Sequence, residues 1–240
     1  MLSSLSVVIP AFNEAGSIAS TVTDALVVGS MVASRLEVVV CNDGSSDNTA
    51  SIVRSMGDPR VRLLDRPENA GIEASMRALY AHSRHDWIFL MSADQQWPMT
   101  TLLAMASAAF NGADFVVGTR SNKPTVYTPY RRVVSWGYER IVRILGSTVG
   151  DPGSIKLARR ELLDIPVVAR GVFAEGERTI RAVRSGARVV AVPVDFVPRN
   201  HGKATGARTD VVTAALTDAL RVAASLMIGR PRPSLPRREF

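Results

Sequence analysis

Short apolar runs, each stopped by a turn-forming cluster and each separated from the next by a helix-forming stretch, constrain this chain most. They are Leu5–Ile9, Leu36–Cys41, Arg60–Leu64, Trp87–Met91 and Asp114–Gly118. They are nearly continuous rather than alternating, as in strands covered on both faces of a parallel sheet. Between them, Glu14 to about Val28, a segment capped at Asp47-Asn48-Thr49, Gly71 to Ser83 and a segment opened by Pro98 read as helices. The alternation predicts an α/β fold of three layers around a mostly parallel central sheet. Ligands of such sheets gather outside the C-terminal ends of the strands.

Beyond Gly118 the pattern changes. Arg120 to Pro129 is polar and proline-bearing, a loop. Tyr130 to Leu145 is a basic amphipathic helix, Ser154 to Ala158 a strand, Phe173 to Ser185 a helix and Arg188 to Val194 a strand. Residues 1–207 therefore form one domain, with a nucleotide-binding half over 1–118 and an acceptor half over 119–207. Residues 208–240 add an amphipathic helix and a basic tail. In that helix Val212, Ala215, Leu216, Ala219, Ala223, Leu226 and Met227 share one face, and Thr213, Thr217, Arg221 and Ser225 the other. Its charges argue against a membrane span. It is expected to lie at a membrane interface or to pack on the domain or a second copy.

A formal charge of +7 and a pI near 10.3 favour anionic partners. Nucleic acid is the poorer reading, because no recognition-helix, zinc or aromatic RNA-binding signature is present. Cys41 is the only cysteine, so no disulfide can form within the chain, and its apolar run implies a buried, inert thiol. With no basic-then-apolar leader before Leu5, a cytoplasmic location is expected.

Candidate chemistry sits where strands end. Pro10-Ala11-Phe12-Asn13-Glu14 leaves the first strand, and its backbone amides are expected to receive a nucleotide phosphate or ribose. Asn42-Asp43-Gly44-Ser45 leaves the second strand and offers a carboxylate to a base or ribose. Ser92-Ala93-Asp94-Gln95-Gln96 leaves the fourth, with oxygen donors that suit a hard divalent cation carrying a diphosphate. Each turn alone is ordinary; the ordered set is not.

Together these segments resemble family-two glycosyltransferases of the GT-A fold, and most of all the dolichol- or polyprenyl-phosphate mannosyltransferases and their bacterial relatives. The resemblance covers about residues 5 to 205. It rests on Pro10-x-x-Asn13-Glu14, Asn42-Asp43-Gly44-Ser45, Asn69-Ala70-Gly71, Ser92-Ala93-Asp94-Gln95-Gln96 and Val117-Gly118-Thr119-Arg120. Further matches are Arg131-Arg132-x-x-Ser135, Asp151 to Lys156, Glu177 with Arg181-Ala182, Gly186 to Val189, Val192-Pro193-Val194 and Pro198 to Lys203.

The resemblance implies an inverting, metal-dependent transferase that moves a sugar from a UDP- or GDP-sugar to a polyprenyl phosphate. It implies Mg²⁺ or Mn²⁺ on Asp94 and Gln96 and nucleotide binding by Pro10, Phe12, Asn13, Glu14, Asn42, Asp43 and Ala93. Arg120, Arg131, Ser135, Arg199 and Lys203 would hold donor and acceptor phosphates, with Asp94 and Arg131 catalytic. Two departures stand out: Asn42 and Ser92 occupy positions where the family carries aspartate. A soluble acceptor and a catalytically degenerate relative are the alternatives. Contact with the inner face of a membrane and a homodimer are further expectations.

Overall fold

The computed structural model describes residues 1–121, 127–150, 155–197 and 209–228. The strands are β1 (Leu5–Ala11), β2 (Leu36–Asp43), β3 (Val61–Arg66), β4 (Trp87–Leu90), β5 (Phe115–Arg120), β6 (Lys156–Arg159) and β7 (Val189–Val194). The helices are α1 (Ile18–Val32), α2 (Thr49–Ser55), α3 (Ile72–His82), α4 (Thr101–Phe110), α5 (Pro129–Ile144), α6 (Arg160–Leu163), α7 (Ala174–Arg184) and α8 (Thr209–Met227).

The strands form one seven-stranded sheet in the order β3-β2-β1-β4-β6-β5-β7. Only β6 runs against its neighbours, β4 and β5. Successive residues of β1 feed opposite faces, which explains its unbroken apolar run. Val7 and Ile9 pack with α1 and α4 through Ile18, Val22, Leu102 and Met105. Val8 packs with α3, α6 and α7 through Leu79, Tyr80, Leu162 and Ala182. Cys41 is buried in that second cluster, and burial pushes its thiol pKa up, as an inert core thiol requires.

Several boundaries differ from those the sequence predicts. β1 runs through Pro10 to Ala11. Leu5 N–H donates to Arg35 O on the β2 side, so by alternation the Pro10 nitrogen faces β4, where pairing stops at Val8↔Leu90. A missing donor costs nothing there. α1 begins at Ile18 rather than Glu14, and α4 at Thr101 after a turn closed by Thr101 N–H to Pro98 O. β6 is shifted along the chain and antiparallel. α5 starts as its sequence dictates, with Pro129 in its first turn and the Thr128 hydroxyl accepting from Arg131 N–H.

α8 packs on the domain. Ala219 and Val222 join Val142, Phe173 and Ile180 in a third cluster. Its buried face is rotated from the apolar stripe read in the sequence: Asp218 is buried, whereas Leu216 and Met227 are exposed. The Asp218 carboxylate accepts from the Arg170 and Gly171 amides, both at 2.9 Å, and this anchoring sets the helix orientation.

Gly44 closes the turn after β2. Its φ is +70°, and a Cβ there would lie 2.5 Å from the Glu68 carbonyl carbon and 2.6 Å from Asn69 N. Gly44→Ala should cost about 1–3 kcal/mol in urea unfolding, the usual range for a strained backbone site. Wild-type stability of that variant would show that the 68–69 backbone yields freely.

Candidate active site

The strand order reverses at β1 and β4, which opens a crevice beyond their C-terminal ends. Among the described residues, the non-glycine residues with left-handed backbone, Asn13 and Gln95, both at φ 55°, lie on the turns leaving these strands. Strain of this kind collects at ligand sites.

The first two turns are stapled together. Asn13 N–H donates to Ser45 Oγ at 2.9 Å, and Asn13 Oδ1 accepts from Ser46 N–H at 2.9 Å. Glu14 N–H donates to Thr49 Oγ1 and Ala15 N–H to Asp47 Oδ2. The amides expected to meet a phosphate are thus already taken by the second turn. Phe12 is left exposed at the edge of the crevice, and the Glu14 carboxylate accepts from Ser17 Oγ. Pro10 lines a cavity of about 180 Å³ together with Ser92, Glu73 and Glu175.

Asp43 is buried and organises the neighbouring loop. It accepts from Ala70 N–H at 3.1 Å, Gly71 N–H at 2.9 Å and Arg66 Nη1 at 3.2 Å. Asn42 shows why an amide stands where the family has a carboxylate. Its Nδ2 donates to Asp65 Oδ1 at 2.7 Å, and its Oδ1 accepts from Ser45 N–H. Asp65 also pairs with Arg54. An aspartate at 42 would set two carboxylates face to face.

On the turn after β4, Ser92 Oγ donates to Asp94 Oδ1 at 2.6 Å and Gln96 N–H reaches the same oxygen at 3.2 Å. Ala93 is buried, with its carbonyl held by Thr21 Oγ1. Gln96 is buried and bonds Val197 through both backbone and side chain. Among the described residues, no group of three or more His, Cys, Asp or Glu is placed to hold a metal. The donor set here is a hydroxyl, one carboxylate and a carboxamide. Hard oxygen donors of low charge fit Mg²⁺ or Mn²⁺ delivered with a diphosphate, not an all-protein metal cage.

Arg120 leaves β5 and lies 4.9 Å from the ring centres of both Trp97 and Phe196; Arg131 on α5 lies 4.3 Å from Tyr127. Both arginines and Ser135 line a second cavity of about 350 Å³. Apart from Tyr127 and Tyr138, its remaining wall is apolar, with Val134 and Ile141 from α5, Phe173, and Val212 and Ala215 from α8. Val172 lines both cavities, so they adjoin. Arg199 and Lys203 lie outside the described residues, as do His201, Asp151 to Ser154 and the basic tail.

Sequence reasoning missed the charged wall of the smaller cavity. Glu175 takes Lys156 Nζ at 3.0 Å, Tyr80 OH at 3.1 Å and Arg178 Nη1 at 2.9 Å. Arg178 also faces Glu73 at 3.6 Å and donates to Leu163 O. Burial alone would raise the Glu175 pKa, but Lys156 and Arg178 outweigh it and hold the carboxyl below its ordinary value. Arg178 is 1% exposed. Arg181 and Glu177 pair at 2.6 Å, and Glu177 also receives the Val168 and Ala169 amides, a structural role. The signal was present in the acidic and basic residues spaced three and four apart along α7.

Residues 6–165 match the family described as glycosyl transferase family 2. The chain belongs to that family. A dolichyl-phosphate beta-glucosyltransferase of Trichomonas vaginalis is 30% identical over 58% of this chain and 46% of its own length. A polyprenol monophosphomannose synthase of Mycolicibacterium smegmatis is 28% identical over 82% of this chain and 78% of its own. The chain thus spans under half of the first relative and over three quarters of the second. Among solved structures, the glucosyl-3-phosphoglycerate synthase of Mycobacterium tuberculosis, crystallised with Mn²⁺, UDP and phosphoglyceric acid, superposes with a TM-score of 0.73 at 19% identity. That match covers 92% of this chain and 78% of that one, and it shows the shared GT-A fold.

Asn42→Asp should destabilise this glycosyltransferase by about 1–3 kcal/mol at neutral pH, the cost of a buried polar group set against the wrong partner. Asn42→Asp combined with Asp65→Asn should restore most of the loss in thermal melts. Failure of the double variant to recover would place the cost elsewhere than at the 42–65 contact.

Proposed function

We propose that the chain transfers a hexose from a nucleoside-diphosphate sugar to a polyprenyl-type lipid phosphate, with inversion. The observation that carries this is the larger cavity: Arg120, Arg131 and Ser135 gather on an otherwise apolar channel between α5 and α8. That combination suits a phosphate head on a hydrocarbon chain. The relatives' names, which include dolichyl-phosphate and polyprenol-phosphate transferases, support the same acceptor class.

In this reading the turns after β1 and β2 hold the nucleoside, with Phe12 at the edge and Asp43 fixing residues 69–71. Pro10, Asn13, Glu14, Asn42 and Ala93 complete that floor. The smaller cavity, walled by Ser92, Glu73 and Glu175, receives the sugar. Asp94, oriented by Ser92, with Gln96 beside it, would hold Mg²⁺ or Mn²⁺. When bound, the ion would neutralise the diphosphate and make it a better leaving group. Arg120 and Arg131 hold the acceptor phosphate, with Arg199 and Lys203 as further phosphate ligands. Their stacking on aromatic rings limits the freedom of both described guanidinium groups.

A phosphate oxygen then attacks the anomeric carbon as the bond from that carbon to the diphosphate breaks. The nucleoside diphosphate leaves with the electron pair, and no proton needs to move. This agrees with Glu175, which two cations hold as a weakly basic anion. In this reading the catalytic work occurs in the cytoplasm, at the inner face of a membrane. No helix among the described residues is long and apolar enough to cross one.

Asp94→Ala should lower transfer from UDP- or GDP-sugar to a short polyprenyl phosphate by roughly 10²–10³-fold, the scale of losing one main electrostatic stabiliser. Its melting temperature should stay near wild type. Activity that persists in this variant with a chelator present would remove Asp94 from the chemistry. Transfer to a phosphorylated soluble acceptor, with none to the lipid, would replace the proposed acceptor.

Arg131→Lys keeps the charge but loses the planar fork and the stacking on Tyr127, so kcat/KM for the lipid phosphate should fall about 10-fold. Unchanged kinetics with an unchanged melting temperature would make Arg131 a surface charge.

A further inference from the structure

α5 shows two different faces. Arg131, Val134, Ser135, Tyr138 and Ile141 line the larger cavity. The opposite side carries Val133 at 67% exposure, Trp136 at 65% and Ile144 at 80%, interleaved with exposed Arg132, Arg140 and Arg143. At 100° per residue these six positions fall on one stripe. A tryptophan indole left in water on a stable helix is a poor use of its apolar area. Arg140 lies 5.8 Å from the Trp136 ring centre. The only acidic residue of the helix, Glu139, borders the stripe about 20° from Arg132 and accepts from Ser135 Oγ.

We propose that this outer face of α5 docks on an anionic phospholipid bilayer. The charge pattern fits that partner: Arg132, Arg140 and Arg143 outnumber the single carboxylate, Glu139, at the edge of the stripe, and apolar side chains stand between the cations. Tryptophan among arginines is the composition of helices that lie in the headgroup region. Tyr130, 53% exposed at the start of α5, adds a second aromatic anchor. In this reading the anchor lies on α5; in the terminal segment 208–240, helix α8 is tied to the domain by Asp218 and Val222. Docking in this way sets the cavity between α5 and α8 at the bilayer surface, where exposed Leu216 lines its edge. The inference deepens the lipid-phosphate reading above, but its evidence is the outer face and not the cavity.

The test is co-sedimentation of the full chain with vesicles of phosphatidylcholine alone or with 30% phosphatidylglycerol, a probe composition of about that value chosen for its charge. No nucleotide or acceptor is present. Wild type should bind the acidic vesicles, and binding should fall steeply between low and physiological salt. Trp136→Glu and Ile144→Glu should each abolish it, and Arg140→Gln should weaken it about 5-fold. Transfer to a short, water-soluble polyprenyl phosphate without vesicles should stay at wild-type level in all of these variants. That second readout separates docking from the acceptor site: its loss in wild type would sink the acceptor reading and leave docking standing.

Three results would overturn the proposal. Wild type could fail to bind acidic vesicles. The variants could bind as wild type does while a truncation after Arg208 does not, which would move the anchor to the terminal segment. Trp136→Glu could instead convert a dimer to a monomer in sedimentation velocity with no vesicle binding by wild type, which would assign the face to a second copy.

Discussion

The Glu175 carboxylate is the point on which the two halves of this molecule depend. It sits on α7 and receives Lys156 from β6, Tyr80 from α3 and Arg178 from its own helix. Arg178 extends the network to Glu73 on α3 and to the α6 carbonyl of Leu163. Elements before and after the antiparallel strand are thus locked by one set of opposed charges. Buried ion pairs of this kind add little net stability over a well-packed apolar core. What the network supplies here is position. Glu175 and Glu73 form one wall of the smaller cavity, and the same contacts hold that wall against the end of β4.

That dependence explains which parts of the fold were legible in the sequence. The first half has one apolar run per strand and a polar turn after each, so order and layering could be read from local pattern alone. β6 could not be read this way. Lys156-Leu157-Ala158-Arg159 is short and half charged, and only its neighbours β4 and β5 make it an antiparallel strand. Lys156 and Arg178 look like surface cations until Glu175 is placed beside them in space. α8 shows the same limit. Its apolar stripe pointed to one buried face, but bonds from Asp218 to the Arg170 and Gly171 amides turned the helix to another.

The two departures from the family pattern have different physical meanings. Asn42 is compensated structurally, because Asp65 on the adjacent strand already supplies the carboxylate and needs a donor opposite it. Ser92 has no such neighbour. Its hydroxyl donates to Asp94, which orients that carboxylate but leaves the turn with one negative charge where two would stand. A site built this way attracts a bare cation weakly and a cation already carried by a diphosphate much better, since the substrate oxygens complete the coordination. Under the proposed metal role, the substitution would couple metal entry to donor binding more than remove a metal function. Charge bookkeeping within the turn predicts that coupling.

The acceptor side obeys a similar balance between charge and apolar surface. Trp97, Phe196 and Tyr127 surround the guanidinium groups of Arg120 and Arg131, and α5 and α8 supply the apolar channel beyond them. Ring faces attract a cation and exclude water, so they raise the strength with which an arginine fork binds an incoming phosphate. A soluble phosphorylated acceptor would use the forks and waste the channel. A hydrocarbon chain alone would use the channel and desolvate two half-buried cations without a counter-charge, at considerable cost. A lipid phosphate satisfies both at once. Because the channel wall is formed partly by α8, a helix outside the matched family segment, acceptor choice under the proposed function would depend on a part of the chain beyond that segment. Under that proposal, donor chemistry and acceptor recognition could vary separately, with Val172, which lines both cavities, as the shared boundary.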